Sequence, residues 1–337
     1  MKLSSNIIAL ALCAVAEATP TPTYLTVEEK RGHEVVKHSA AISEQATLGY
    51  ATLNGGTSGG SGGTVTTVSS LPQFSAAVAE NNTAPAIVVV QGVISGDAKV
   101  RIGSNKTIVG LPGAGFNGVG LYFKKQHNLI LRNIISAFVK AGNGDGLTIE
   151  NSTNVWVDHC EFHSSLTQDK DFYDGLVDVT HGSDFVTISH TSFHDHHKTS
   201  LVGHSDKNGP QDTGHLHVTY ANNHWKNCGS RGPSLRFGTG HIFNSLYQNM
   251  SSAINTRMGA QVLIESTVFK NVTSPIMSKD SPQVGYARAI DNDLGGRKNS
   301  APAGTLSAAS IPYNYTLLGT YNVTSTVPGQ AGAVLTF

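Results

Sequence analysis

Short runs in which apolar and polar residues alternate recur along most of this chain. Lys106–Gly110, Asn128–Arg132, Asn154–Asp158, Phe185–Ser189, His217–Tyr220, His241–Asn244 and Gln261–Glu265 share one form. A few aliphatic residues lead to a polar residue at a bend, and several bends run on into an aromatic, as at Asp158 to Phe162, Ser189 to Phe193 and Tyr220 to Trp225. The interval is irregular, roughly 20 to 30 residues, within the range of solenoid coils. One such unit cannot bury its apolar side alone, whereas stacked coils share a continuous core. The pattern predicts an all-β chain wound as a parallel β-helix. A sandwich or propeller is the other home for repeated short strands, but two-residue hairpin signals are sparse. Ahead of the repeats, Leu71 to Glu80 has helical spacing, with Leu71, Phe74, Ala77 and Val78 on one side and Ser70 placed to cap it. Ala86–Val90 reads as a buried strand.

The N-terminus has a different pattern. Lys2 precedes an apolar run from Ile7 to Val15, followed by Ala16, Ala18, Pro20 and Pro22. The run is too short to span a bilayer and reads as a signal peptide over residues 1–18. A dibasic site at Lys30-Arg31 would end a propeptide over 19–31. Residues 32–64 form an extension whose Gly/Ser-rich part, Asn54–Gly63, fits a linker or an irregular start to the fold equally well. The repeat domain is expected over 65–337. Seven sequons, at Asn81, Asn105, Asn151, Asn249, Asn271, Asn314 and Asn322, suit a secreted, extracellular glycoprotein.

Composition narrows the class. Charged residues are 14% of the chain, against about 25% in ordinary soluble proteins. The formal net charge is zero, so no strongly basic surface argues for nucleic acid or an anionic membrane. Beyond Cys13 there are two cysteines, Cys160 and Cys228, enough for one disulfide whose geometry the sequence does not show.

The candidate chemistry lies in a series of charged residues. Asn143 and Asp145 share a strand face by parity, as do Asp174 and Asp178. The second pair would be about 13 Å apart on a straight strand, too far for comfortable joint ligation, so a bend is needed between them, which Gly175 could permit. Loop aspartates that merely end strands are the ordinary alternative. Lys198 follows, then Arg231-Gly232-Pro233-Ser234-Leu235-Arg236, where Gly232-Pro233 interrupts a strand and could bring both arginines to one side. Asp158, beside Trp156 and Val157, reads as a buried structural residue. His194-Asp195-His196-His197 looks like a metal cluster, but alternation sends adjacent side chains to opposite faces and zinc-site context is lacking.

In this order the stretches Asn143–Asp145, Asn154–His159, Asp174–Asp178, Lys198, Arg231–Arg236 and Pro312–Tyr315 resemble the secreted pectate lyases of the pectate/pectin lyase family, polysaccharide lyase family 1. The resemblance covers roughly residues 65 to 330, a span that fits one solenoid domain. It implies a right-handed parallel β-helix and calcium-dependent β-elimination of polygalacturonate by a monomer. It also implies Asp145, Asp174 and Asp178 as calcium ligands, Arg231 as the proton-abstracting base, and Lys198 and Arg236 as substrate-carboxylate binders. The family often has Asp where this chain has Asn143, and Glu where it has Asp174. Related possibilities are a pectin lyase acting on methyl-esterified substrate without calcium, a polygalacturonase-like hydrolase with two working carboxylates, and a catalytically silent pectate-binding β-helix.

Overall fold

Left-handed backbone turns set the coils. Asn133, His159, His190, Asn222, Asn244, Ser266 and Asp291 all have φ between 44° and 58° at the same bend of successive coils. Asn and Asp tolerate this region better than other non-glycine residues, which explains the polar residue after each apolar run. Their side chains also tie coils together: Asn244 Nδ2 donates to Asn222 Oδ1 at 3.0 Å and Asn133 Nδ2 to Gly110 O at 2.7 Å.

The computed structural model describes residues 23–24 and 38–337. The signal peptide expected over 1–18 lies outside the described residues, as does the propeptide over 19–31 except for Thr23–Tyr24, which pairs with Thr316–Leu317. Twenty-one strands join one continuous sheet, and its strand–strand ladders are all parallel, giving a parallel β-helix.

Each coil has three faces. The first carries strands such as His127–Arg132, Thr153–Asp158 and Asp184–Ser189. The second, after the bend, carries Glu161–His163, Ser192–Lys198 and His224–Ser230. The third carries Leu147–Glu150, Val177–Thr180, Leu201–Val202 and Ser234–Arg236. Inward residues of all three faces fill one core, including Leu129, Val157, Ile188, Ile149, Val179 and Leu235. Phe162, Phe193, Trp225, Tyr247 and Phe269 stack through five coils, with ring centroids 4.1–5.8 Å apart.

The Gly/Ser-rich segment is no free linker; it packs against the outer side of the first face. Asn128 Oδ1 accepts from Ser58 N at 2.8 Å and Gly59 N at 2.7 Å, and Asn154 Nδ2 donates to Leu53 O and Gly56 O. Ala51 packs on Ile130 and Trp156. A Cβ on Gly60 would lie 1.9 Å from Ala86 O, so only glycine permits this approach. With the first face covered on both sides, Ala86–Val90 is buried throughout.

The helix is shorter than the expected Leu71 to Glu80. It runs Leu71–Ala77 with Phe74 fully buried, and it stops because Ala79 bridges Ile102. Ser70 sits at the N-cap but its side chain makes no cap bond; Gln73 instead reaches back to Ser69 N at 3.0 Å. Cys160 and Cys228 are both free and buried, and burial pushes each thiol up to about 12. No helix among the described residues is long and apolar enough to cross a membrane.

Candidate active site

The outward positions of the third face form the site. Thr148 stands beside Asp178 in register, and alternation turns both away from the core positions Leu147 and Val177. The loop ahead of Leu147 carries Asp145, and the loop ahead of Val177 carries Asp174 and Gly175.

Asp145 and Asp178 converge on Gly175. A Cβ placed on that glycine would lie 2.6 Å from Asp178 Oδ1 and 2.7 Å from Asp145 Oδ1. Gly175 therefore leaves the space between two carboxylates open. Asp145 accepts from Gly175 N at 2.8 Å and Thr148 Oγ1 at 2.6 Å; Asp178 accepts from Leu201 N at 2.9 Å. Both are less than a tenth exposed. Burial raises the pKa of Asp145, and the charge of Asp174 adds to the rise. Burial pushes Asp178 well above the usual carboxylate range, and the charge of Asp145 reinforces it. Two buried carboxylates aimed into one gap form a donor set that suits a hard divalent cation with oxygen ligands.

Asp174 is set differently. Its carboxylate is about half exposed and reaches Lys198 Nζ at 3.3 Å, while its carbonyl accepts from His196 Nε2 at 2.7 Å. A bend lies at Leu176, next to Gly175, but the convergent pair is Asp145–Asp178 rather than Asp174–Asp178. Lys198 Nζ also meets Asp171 Oδ1 at 2.9 Å; burial works against its charge, yet these carboxylates hold its pKa above the ordinary value. Asn143 turns its amide toward Asp97 and Gly118 O, away from Gly175.

Arg231 occupies the corner between Ser230 and Ser234, with φ 63°. Its carbonyl accepts from Ser200 N at 2.8 Å. Among the described residues its guanidinium has no hydrogen bond or ion pair, and its charge acts on both Asp171 and Asp178. Arg236 points outward in register with Arg257. Its Nε donates to Asp206 and its Nη1 to Gly203 O at 2.8 Å, which leaves Nη2 without a partner among the described residues. Asp206 also accepts from Ser281 Oγ at 2.7 Å, so one loop aspartate fixes Arg236 in place. Asp206, Asp171 and Thr148 went unnoticed in the sequence, since only the stacking of coils brings them to the site.

The other clusters differ in kind. Asp158 accepts from Arg132, His159, Ser189 and His190. Burial pushes its pKa up, but the two histidines outweigh this and hold it well below the usual range. In the His194–His197 stretch, His196 and His197 bond to Ser164, Asp174 O and Gln168 O. His194 bonds Glu161 and Asp195 and stacks on His163 at 4.7 Å with planes 11° apart. The nitrogen lone pairs of two near-parallel rings lie in separate planes and do not meet on one ion.

A family model described as pectate lyase matches residues 23–334. The chain is 50% identical over its whole length to "Probable pectate lyase A" of Neosartorya fischeri, all of which is covered. It is 46% identical to "Probable pectate lyase B" of Aspergillus terreus, covering 96% of this chain and 98% of that one. Among solved structures it resembles a pectate lyase from Bacillus sp. N165 in complex with trigalacturonate, with a TM-score of 0.78 and 29% identity over 86% of this chain and 99% of the other.

Proposed function

The chain belongs to the pectate lyase family and is a polysaccharide lyase, and from that premise we propose that it cleaves (1→4)-α-D-galacturonan outside the cell, as a monomer, by calcium-dependent β-elimination. The convergence of Asp145 and Asp178 on Gly175, with the unpaired guanidinium of Arg231 nearby, carries this reading. Asp145, Asp174 and Asp178 would hold calcium, which when bound offsets the substrate carboxylate's charge and makes the C5 hydrogen more acidic.

The chain's own residues supply the rest. Lys198 and the free edge of Arg236 bind carboxylates of the polymer. Arg231 accepts the C5 proton. The C5–H electron pair becomes the C4–C5 double bond, and the C4–O bond breaks with its electrons on the leaving oxygen, which takes a proton from water. The products are 4,5-unsaturated oligogalacturonides. Arginine accepts a proton only when neutral, so this step should quicken toward alkaline pH. The apolar N-terminal run and the exposed sequons at Asn81, Asn151, Asn249, Asn271 and Asn314 support secretion.

The test is ultraviolet absorbance of the unsaturated uronate, with purified protein on polygalacturonate at mildly alkaline pH. A rise with calcium that is absent in chelator is expected. Turnover undiminished in excess chelator would refute the calcium assignment, and reducing ends without absorbance would mean hydrolysis.

A further inference from the structure

The outward ladder that holds Asp178 continues in the other direction, away from Arg236. Asp178 stands beside Thr148, Thr148 beside Tyr122, and Tyr122 beside Arg101. Tyr122 is thus two strands from Asp178, about 10 Å at the usual strand spacing. Three cations surround its ring: Lys99 Nζ, the Arg101 guanidinium and Lys124 Nζ lie 5.3, 5.5 and 5.6 Å from the centroid. Two of them are already paired, Lys124 with Glu150 at 2.7 Å and Arg101 with Glu80 at 3.3 Å. Tyr122 itself is fixed, because its hydroxyl donates to Glu150.

Lys99 is the exception. Among the described residues it makes no hydrogen bond or ion pair; its ammonium lies over the Tyr122 ring, and its charge also acts on Asp145. Its ammonium lies against the loop that carries Asp145, where a Cβ on Gly144 would be 3.3 Å from Nζ. Lys99 is exposed. A compact, strongly hydrated charge gains little from an aromatic face alone at such an exposed site. An anionic partner that arrives from solution would gain more.

We propose that Lys99 binds a carboxylate of the galacturonan chain, at a subsite on the flank of the acidic pair opposite Lys198 and Arg236. This rests on the third face being the polygalacturonate cleft, as argued above. A polymer with one carboxylate per sugar, laid along the coils, places a charge near Lys99 while another sits at Asp145 and Asp178. Tyr122 holds the lysine in position. The acidic centre is then flanked by cations on both sides, and only chains long enough to span both flanks use all of them.

The alternative role for Lys99 is to moderate the charge of Asp145, on which its field acts. The two roles separate experimentally. Lys99→Ala and Lys99→Arg are compared with the unmodified protein in native gels containing polygalacturonate, where retardation reports affinity without turnover. Lyase kinetics on trigalacturonate and on polygalacturonate, with calcium titrated, give the second readout. For Lys99→Ala we expect about tenfold weaker retardation and a KM raised by a similar factor on polygalacturonate. The kcat, the trigalacturonate kinetics and the half-saturating calcium should stay within about twofold, and Lys99→Arg should recover most of the loss. Equal losses on both substrates, or a shifted calcium requirement, would overturn the proposal in favour of the Asp145 role. Unchanged retardation in Lys99→Ala would also overturn it. An unmodified protein that is retarded but never cleaves would defeat the β-elimination reading and leave the Lys99 subsite standing.

Discussion

Asp158 and Asp178 are both nearly buried, at 1% and 8% exposure, yet they are opposites. Asp158 sits at the end of a first-face strand among four donors, with Arg132 Nε at 2.8 Å and His159 Nδ1 at 2.6 Å. Its charge is fully answered, and its pKa is held low. Asp178, on the third face, accepts one hydrogen bond among the described residues and faces another carboxylate, and its pKa is held high. A satisfied buried charge ties coils together. An unsatisfied pair waits for something to bind, and perturbation of this kind marks candidate functional groups.

The widest separation between the two regions should come from paired substitutions. Asp178→Asn should lower calcium-dependent kcat/KM by about a thousandfold, the several kcal/mol that a metal contributes to charge stabilisation. Its melting temperature should hold or rise, since one of two facing carboxylates is neutralised. Asp158→Asn should do the reverse. It leaves Arg132 without its buried partner, for a loss of about 3–5 kcal/mol in denaturant unfolding, while the fraction that remains folded keeps its kcat. Loss of kcat in Asp158→Asn at unchanged stability would place Asp158 in the chemistry and end the contrast.

Arg231→Ala tests the same cleft from the proton side. Removal of a general base costs roughly 10²–10⁴ in kcat, and among the described residues Arg231 bonds to its neighbours only through its backbone, so the unfolding midpoint should stay put. Full lyase activity in this variant would refute the assignment. Gly175→Ala is subtler. The new Cβ would press on both Oδ1 atoms at 2.6 and 2.7 Å, forcing the carboxylates apart. Calcium titration of activity should show a requirement raised by about tenfold or more, on the order of one lost ligand contact. An unaltered titration would show that the pair does not close on an ion there.

The fold was legible because its signal is local and repeated. Each apolar run followed by Asn, Asp, His or Ser encodes a strand and a left-handed bend, and Asn133, His159 and Asn222 fall at such bends. The resemblance pointed to Asp145, Asp174, Asp178, Lys198, Arg231 and Arg236: five lie on the third face or the loops and corner beside it, and Lys198 ends the second-face strand that leads to it. What stayed hidden depends on stacking. Asp145 and Asp178 are 33 residues apart, and their convergence follows from the register of Thr148 with Asp178, which no single strand reveals. Parity along one strand suggested joining Asp174 to Asp178, whereas the coil geometry turns Asp174 toward Lys198. The packing of Asn54–Gly63 was hidden for the same reason, since its partners Asn128 and Asn154 belong to two different coils.

The smallest expected effect concerns His196, which links the second face to the site loop. Its Nε2 donates to the Asp174 carbonyl and its Nδ1 meets Ser164 Oγ, which can donate to it when the ring is neutral. Burial lowers its pKa from 6.5 to about 4. Between those values the unfolded chain binds a proton that the folded chain refuses. Its contribution is therefore present in full above about pH 6.5 and is lost as pH falls toward 4. The linkage amounts to at most about 3 kcal/mol for this one group. His159, His163, His224 and His241 are also lowered by burial and act with the same sign, while Asp158 resists acid until the ordinary carboxylate range is reached. His194, Asp145 and Asp178, whose pKa values are raised, act with the opposite sign over part of this range, so the informative quantity is the difference between the unmodified protein and His196→Gln: from pH 7.5 down to about pH 4 the variant's denaturant midpoint should fall less steeply, from a lower stability at neutral pH. An identical slope in the variant would mean that His196 already carries its proton in the fold, and that the Asp174 loop is held by a charged ring rather than a neutral one.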